Sequence, residues 1–389
     1  MDEPKGRLRS VDPPPITGRE STTDLIRQAM AAGIGRQFRD FVASLQLSID
    51  EDHTLVWSLA GIVSVAGYTR SCLIPLMRRG LIHAISTTDA VAYHDLQGWW
   101  PRFMPEAAEV KPGVPEFFEV DSRGDDRAYA ADGIVRVYDI GFDEGQGLLG
   151  TDRALMQFVE RNRALRTNLT TAEFFWRLGQ AMKEVELANG HDPADSPSLL
   201  VQAHVHQVPI FCGAFWDGSI GLNLARFNLF NPPGQQVVIE GDRDVHQFAS
   251  LMHQTIAVEG RGMTLVIMGG GVPKNYSLQI GPYLTQICGL SDELRYTAEL
   301  QICDAPVDNM SLSSAPAVEA LTWGKVLERT LPRNVYVRAD WSVLLPVLTQ
   351  SLLEQGRQLP GRQLFFTREG ARQALDRAIR ERAEVSAPA

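Results

Sequence analysis

The lysine at position 325 has neighbours that suit it to covalent chemistry. It closes the segment Glu319-Ala-Leu-Thr-Trp-Gly-Lys325, one residue past a glycine and two past Trp323. Burying an amine beside an indole disfavours the ammonium form and lowers the pKa. A neutral lysine attacks an imine or carbonyl carbon and forms a Schiff base. The bland alternative is a solvated surface charge near a helix. Upstream, the apolar run Met263-Thr-Leu-Val-Ile-Met268 ends in Gly269, Gly270 and Gly271. Glycines let a backbone approach a ligand closely. In open parallel sheets, ligands bind beyond the carboxyl ends of the strands. The loop is not a G-x-G-x-x-G fingerprint, so its spacing alone is equally that of a tight strand-to-helix turn.

Two further segments frame these. Val208-Pro-Ile-Phe-Cys-Gly-Ala-Phe-Trp-Asp-Gly-Ser-Ile-Gly221 lies upstream, and Val335-Tyr-Val-Arg-Ala-Asp340 lies downstream. Together, in this order, the four segments resemble the deoxyhypusine synthase family, which includes homospermidine synthases. The family pattern has V-P-I-F followed by D-G-S-x-G, a G-G-G-V-x-K loop, E-A-x-x-W-G-K with the nucleophilic lysine, and a closing V-Y-A-D strand. The resemblance is specific between about Val208 and Pro346 and continues more weakly to about residue 24.

That resemblance implies an NAD-dependent transfer of a 4-aminobutyl group from a polyamine donor to an amine, with Lys325 as covalent carrier. Gly269, Gly270 and Gly271 then hold NAD, and Asp340 bonds a ribose; on sequence alone Asp340 is as well placed to cap the helix starting at Trp341. Thr88, Gly67 and Ser313 lie on matched loops and carry over as cofactor neighbours. Trp323 walls the site, Glu319 holds a substrate ammonium unless it is merely solvated, and Asp217 contacts cofactor or substrate. The family forms tetramers whose active sites lie at a dimer interface, so oligomerisation is expected. A small amine acceptor, with a homospermidine-like product, is the favoured reading. The alternative is a non-catalytic NAD-binding relative acting through protein contacts.

The substrate shell departs from the family. Asn275 stands where most members have a proton-transferring histidine. Leu222 and Leu312 replace two acids, and Tyr93 and His94 replace paired glutamates. Each charge-assisted hydrogen bond to an ammonium contributes roughly 1.5–3 kcal/mol. Asn275 cannot shuttle a proton near neutral pH. The substrate-binding set expected is therefore Trp323, Glu319, Asn275, Asp217 and Leu222, more apolar than a deoxyhypusine synthase site.

Bulk properties agree with a cytoplasmic enzyme. The 389 residues include 37 basic and 47 acidic ones, a net charge of −10. That balance argues against nucleic acid or an anionic membrane as obligate partner. Cys72, Cys212, Cys288 and Cys303 are scattered and read as reduced core residues. No metal site is expected: His204-x-His206 shares one face of a predicted strand but has no third ligand nearby. The N-terminus is polar and proline-rich, without a signal peptide.

Strand and helix signals alternate through the chain, which predicts an α/β fold with a mostly parallel, Rossmann-like sheet. Residues 1–20 read as a flexible arm, 21–383 as one NAD-binding catalytic domain and 384–389 as a tail. Thr22 or Thr23 is placed to cap a helix carrying Leu25 through Val42, weakened by Gly33 and Gly35. Strands are expected at Thr54–Gly61, His83–Thr87, Met263–Met268 and after Asn334. Helices are expected at Tyr68–Arg79, Thr171–Ala188, Arg243–Ile256 and Trp341–Glu354, with a peripheral one at Thr367–Arg382. Pro316 suits the first turn of a helix running toward Lys325.

Overall fold

A computed structural model describes residues 11–61 and 63–386. Its centre is a six-stranded, wholly parallel sheet built from β1 (Thr54–Leu59), β2 (Ala84–Thr87), β3 (Ile210–Cys212), β4 (Met263–Met268), β5 (Ala298–Ile302) and β6 (Val335–Val337). The spatial order is β6-β5-β4-β1-β2-β3. Two successive triplets thus wind outward in opposite directions from the β1–β4 pair. That is the doubly wound order, whose binding crevice opens where the winding reverses. β1 and β4 run in register from Thr54 opposite Met263 to Leu59 opposite Met268. Every residue of both strands is buried, which is why they read as unbroken apolar runs rather than as an alternation.

Helices cover both faces. They include α1 (Gly33–Asp50), α2 (Asp89–Gln97), α3 (Thr171–Ala188), α4 (Leu199–Val205), α5 (Ser219–Leu229), α6 (Gly241–His253), α7 (Gly271–Pro282), α8 (Ala317–Thr322), α9 (Trp341–Glu354) and α10 (Leu364–Ser386). Successive strand residues point to opposite sides, so the core divides in two. Leu55, Trp57 and Leu59 of β1 and Val266 and Met268 of β4 pack with Phe38, Phe41 and Leu45 of α1. Val56, Leu265 and Ile267 pack on the other side with Phe248 and Met252 of α6, Leu278 of α7 and Leu375 of α10. On β5, Ala298, Leu300 and Ile302 belong to the first core. Glu299 and Gln301 therefore point to the second, toward α7. A three-stranded antiparallel sheet made by Phe118–Glu119, Ile134–Val137 and Ile140–Asp143 stands apart from this framework.

The α/β reading and the central strands are borne out, as are the bounds Thr171–Ala188 and Trp341–Glu354. Several local readings need correction. The predicted first helix is two pieces: a short one capped by the Ser21 side chain, and α1 after a break at Met30–Ala32. Gly33, at φ 57°, opens α1 in a left-handed conformation that suits glycine, so it marks the break rather than weakening one continuous helix. His204 lies in α4, not on a strand; its ring nitrogens meet Lys183 Nζ at 3.0 Å and the Trp176 carbonyl at 3.2 Å. Pro316 is the residue before the first turn of α8, and that helix ends at Thr322, short of Lys325. α10 is less peripheral than expected, with Leu364, Phe365, Ala371 and Leu375 buried. It runs through the expected tail as far as Ser386, while 387–389 lie outside the described residues. Of the expected arm, 1–10 lie outside the described residues, and 11–20 form no helix or strand. Cys72, Cys212 and Cys303 are buried, Cys288 is part-buried, and none is in a disulfide. No helix among the described residues is long and apolar enough to cross a membrane.

Candidate active site

Lys325 opens onto a cavity of about 590 Å³ enclosed by α7, the segment after β5 and α8. Two backbone facts place it there. α8 stops at Thr322, and Gly324 turns the chain at φ 66°, a conformation that suits glycine. The Lys325 N–H then donates to Ala320 O at 3.0 Å and ties the turn back to the helix. The side chain is half-buried. Its Nζ donates to Asn275 Oδ1 at 3.1 Å and lies 5.6 Å from the centre of the Trp323 ring. Burial pulls the amine below the usual lysine range and nearby Lys274 adds to that, while Glu299 and Glu319 pull the other way. A lysine so placed is a better nucleophile than a solvated one.

Trp323, Glu319, Asn275 and Leu312 line the same cavity, as expected for one site. Apolar side chains predominate on the wall, with Leu278, Val307, Met310, Ala315 and Ala320 beside Leu312. Among the described residues, Glu319 is the one carboxylate lining it, and it sits at the exposed mouth. Asp308 is exposed and outside the lining. Glu299 is buried behind the cavity and committed to another partner, so neither acid replaces those missing at Leu222 and Leu312.

A second lysine, Lys274, also borders the cavity but differs in every respect that matters. Its side chain is 2% exposed. Its Nζ donates to Gln301 Oε1 at 2.6 Å and Ala315 O at 2.5 Å, and lies 3.4 Å from Glu299 Oε1. Two hydrogen bonds and an ion pair thus hold the ammonium. Lys274 is a fixed buried cation, whereas Lys325 has one weak acceptor and room to react. Removing one member of a buried ion pair strands the other. Lys274→Met is expected to destabilise the fold by roughly 3–5 kcal/mol, read as a lowered urea midpoint. A midpoint unchanged from the native chain would contradict this assignment.

The expected cofactor residues gather at the switch point. Gly269 and Gly271 have φ of 91° and 70°, and Gly270 packs so tightly that an added Cβ would lie 2.6 Å from Ser313 Cα. α7 begins at this loop with no side-chain cap, so its first N–H groups are free to face a phosphate. An added Cβ at Gly67 would meet nothing within 4 Å, and at Gly271 only Ser313 Oγ at 3.8 Å. There is thus open space along the loops after β1 and β4. Trp341, next to Asp340, links the two: its Nε1 is 3.7 Å from the Gly269 Cβ position, and its ring packs edge-on against Tyr68 at 5.5 Å. Asp340 caps α9, its Oδ1 accepting from the Ser342 N–H at 2.8 Å. The capping role is realised, and the second carboxylate oxygen remains for a ligand. The residues present fit a dinucleotide. Thr88 begins α2 beyond β2, without a capping bond from its side chain.

Asp217 and Leu222 are not brought to Lys325. They flank the start of α5, after β3 at the far edge of the sheet. β3 is four strand spacings from β5, about 19 Å at ~4.8 Å each. Both residues are exposed, Leu222 by 63%. Tyr93 and His94 lie on that side too and are absorbed by packing. Tyr93 bonds Asp152 at 2.8 Å, while His94 bonds Gln97 at 2.7 Å and packs among Phe117 and Phe142.

The sequence reading weighed Glu299 only as an acid that could enter the pocket; it missed Gln301 and the layer the two form with Lys274. The signal was there: two polar residues at i and i+2 in the otherwise apolar Ala298–Ile302, on one face of a buried strand.

Comparison with known proteins points to one family. The deoxyhypusine synthase family model matches residues 24–352. A deoxyhypusine synthase-like protein of Nostoc punctiforme is 31% identical over 93% of this chain and 87% of its own length. Another, from a Cyanothece species, is 33% identical over 94% of this chain and 88% of its own. The crystal structure of a candidate deoxyhypusine synthase from Entamoeba histolytica aligns with a TM-score of 0.54 at 12% identity, covering 90% of this chain and 100% of the other. At that identity it speaks to the fold alone.

Proposed function

The chain belongs to the deoxyhypusine synthase family, a family of transferases, and from that premise we propose that it moves a four-carbon, aminobutyl-type group between amines through an imine on Lys325. The observation that carries the reading is the half-buried Lys325 amine in a mostly apolar cavity, whose pre-α8 wall is tied through Gln301 to the glycine loop. NAD, when bound at Gly269 to Gly271, supplies a reversible hydride acceptor. The chain's own residues do the rest. Trp323 and the apolar wall exclude water from the reacting carbon. Asn275 Oδ1 holds the Lys325 Nζ and orients its lone pair. That amine attacks the imine carbon of the oxidised donor, and the donor's amine half leaves with a proton. An acceptor amine then displaces Lys325 from the carbon it holds, and reduction completes a cycle without net redox change. Glu319, at the mouth, pairs with the ammonium end of donor or acceptor.

A small amine is the favoured acceptor, giving a homospermidine-like product, because the mouth carries one carboxylate where a longer cationic chain needs several. The separation of Asp217 from Lys325 supports an assembly in which a second copy brings its β3 edge to this cavity, as in a homotetramer with active sites between subunits. The exposed Trp216 and Leu222 beside Asp217 suit such a contact.

Two measurements test this reading. NAD should give a saturable change in tryptophan fluorescence and raise the melting temperature. Gly270→Val should abolish both, because the added side chain meets the Ser313 backbone. Incubation with NAD and a panel of di- and polyamines should yield new amines by mass spectrometry. No response at millimolar NAD, or no product from any pair, would refute it.

A further inference from the structure

Gln301 is 1% exposed, and its amide is fully used. The Nε2 donates to Gly269 O at 2.8 Å and to Ser313 O at 2.6 Å, and the Oε1 accepts from Lys274 at 2.6 Å. One side chain thus holds the glycine loop, the loop before α8 and the first turn of α7. Lys274 adds a second tie, to Ala315 O in that same pre-α8 loop, and leans on Glu299. Glu299 has one oxygen near Lys274, while its Oε2 has no partner. A second cavity, about 210 Å³, is lined by Glu299, Gln301 and Asn334.

The energetics make such an arrangement costly unless it does something. A buried ion pair stabilises a fold no better than apolar residues of the same volume. A half-satisfied buried network costs more still. Burial raises the Glu299 carboxyl, with Lys274 and Lys325 opposing. Structure alone would be served by apolar residues at 299 and 301, matching their strand neighbours. What the polar set provides is connection: the glycine loop cannot shift without moving the Ser313–Ala315 segment that leads into α8 and Lys325.

We propose that Lys274, Gln301 and Glu299 form a buried positioning unit that ties the glycine loop to the segment delivering Lys325 and sets the charge beneath the reactive amine, so that occupancy of the loop is felt at Lys325. The coupling rests on NAD binding at that loop; the charge setting does not. The charged groups acting on Lys325 are Glu299 from β5, Lys274 from α7 and Glu319 from α8. Arg295, whose guanidinium lies beside Gly324, is paired with Asp292.

The test is reductive alkylation of Lys325 in the full chain by butanal and cyanoborohydride, followed by peptide mass spectrometry from pH 6 to 10, with and without NAD. In the native chain, saturating NAD changes the labelling rate at Lys325 by roughly fivefold or more, the range of ordinary site-to-site coupling. Gln301→Met keeps the volume and removes all three bonds. It should still bind NAD by thermal shift, more weakly, yet show the same Lys325 rate with and without it. Glu299→Gln keeps an acceptor for Lys274 but removes the negative charge. Without that charge Lys325 sheds its proton more easily, so the labelling midpoint, measured without NAD, moves down by roughly one pH unit. A purely structural layer would lower melting temperatures while leaving the NAD effect and the pH midpoint as they are, and that result overturns the proposal. Should Gln301→Met fail to fold, the Glu299→Gln midpoint decides. No NAD-induced stabilisation of the native chain would sink the cofactor reading and the coupling with it, while the Glu299→Gln midpoint would still decide the charge setting.

Discussion

Lys325→Arg abolishes the covalent adduct and lowers turnover on the order of a thousandfold or more, the scale on which loss of a nucleophile acts, while NAD still raises the melting temperature. Arginine keeps the charge and the reach to Asn275 but stays protonated and does not attack carbon. The glycine loop is untouched by the change, since contact between it and Lys325 runs through Ser313–Ala315 and Lys274 rather than through Nζ itself. Borohydride trapping with an isotopically labelled donor, followed by peptide mapping, reads the adduct; thermal shift reads NAD. The Lys274 peptide should stay unlabelled in both proteins, because its amine is buried and triply engaged. Label on Lys274, or an undiminished adduct in Lys325→Arg, would place the nucleophile elsewhere.

The second large effect concerns specificity. Leu312→Asp together with Asn275→His should raise kcat/KM for spermidine by roughly ten- to a hundredfold, one charge-assisted hydrogen bond being worth ~1.5–3 kcal/mol. Leu312 lines the Lys325 cavity, so a carboxylate there meets the donor's ammonium directly. A histidine at 275 sits against Lys325 Nζ and can take the proton that asparagine cannot. Leu222→Asp is expected to add to this only if a second copy brings that residue to the cavity, since within one chain it lies at the opposite sheet edge. The native chain should turn over an amine with a more apolar or less charged end faster than spermidine. Steady-state rates for the native and double-variant chains, across donors of graded charge, settle it. An ordinary Michaelis constant and rate for spermidine in the native chain would contradict the account.

What could be read from the sequence follows the range of the interactions. Lys325, Trp323 and Glu319 fall within seven residues, and β4 with its glycine loop is local too, so short segments resembling the family's were enough to single them out. The doubly wound order and the switch point add that the loops after β1, β4 and β6 meet, which the Trp341 contacts with Gly269 and Tyr68 make concrete. Asn275 reached Lys325 as expected because α7 and α8 flank neighbouring strands. Asp217 and Leu222 did not, because a motif records order along the chain, and three strands separate β3 from β5 in space. His204 was misplaced because two histidines at i and i+2 fit a strand, while the Ser198 side chain, accepting from Val201 N–H at 3.2 Å, starts a helix there. The Lys274–Gln301–Glu299 layer escaped notice because its logic is entirely long-range. It joins α7, β5 and the pre-α8 loop, and only the packed structure shows that the lysine of the glycine-loop motif is buried and bonded to Gln301 and Ala315.

The most direct test of the central claim is intact-protein mass spectrometry after borohydride reduction, with donor amine present and NAD present or absent. The expected result is a mass gain of one donor-derived fragment per chain that requires NAD and maps to the peptide bearing Thr322 to Lys325. No gain with any amine at saturating NAD, or the same gain without NAD, would contradict it.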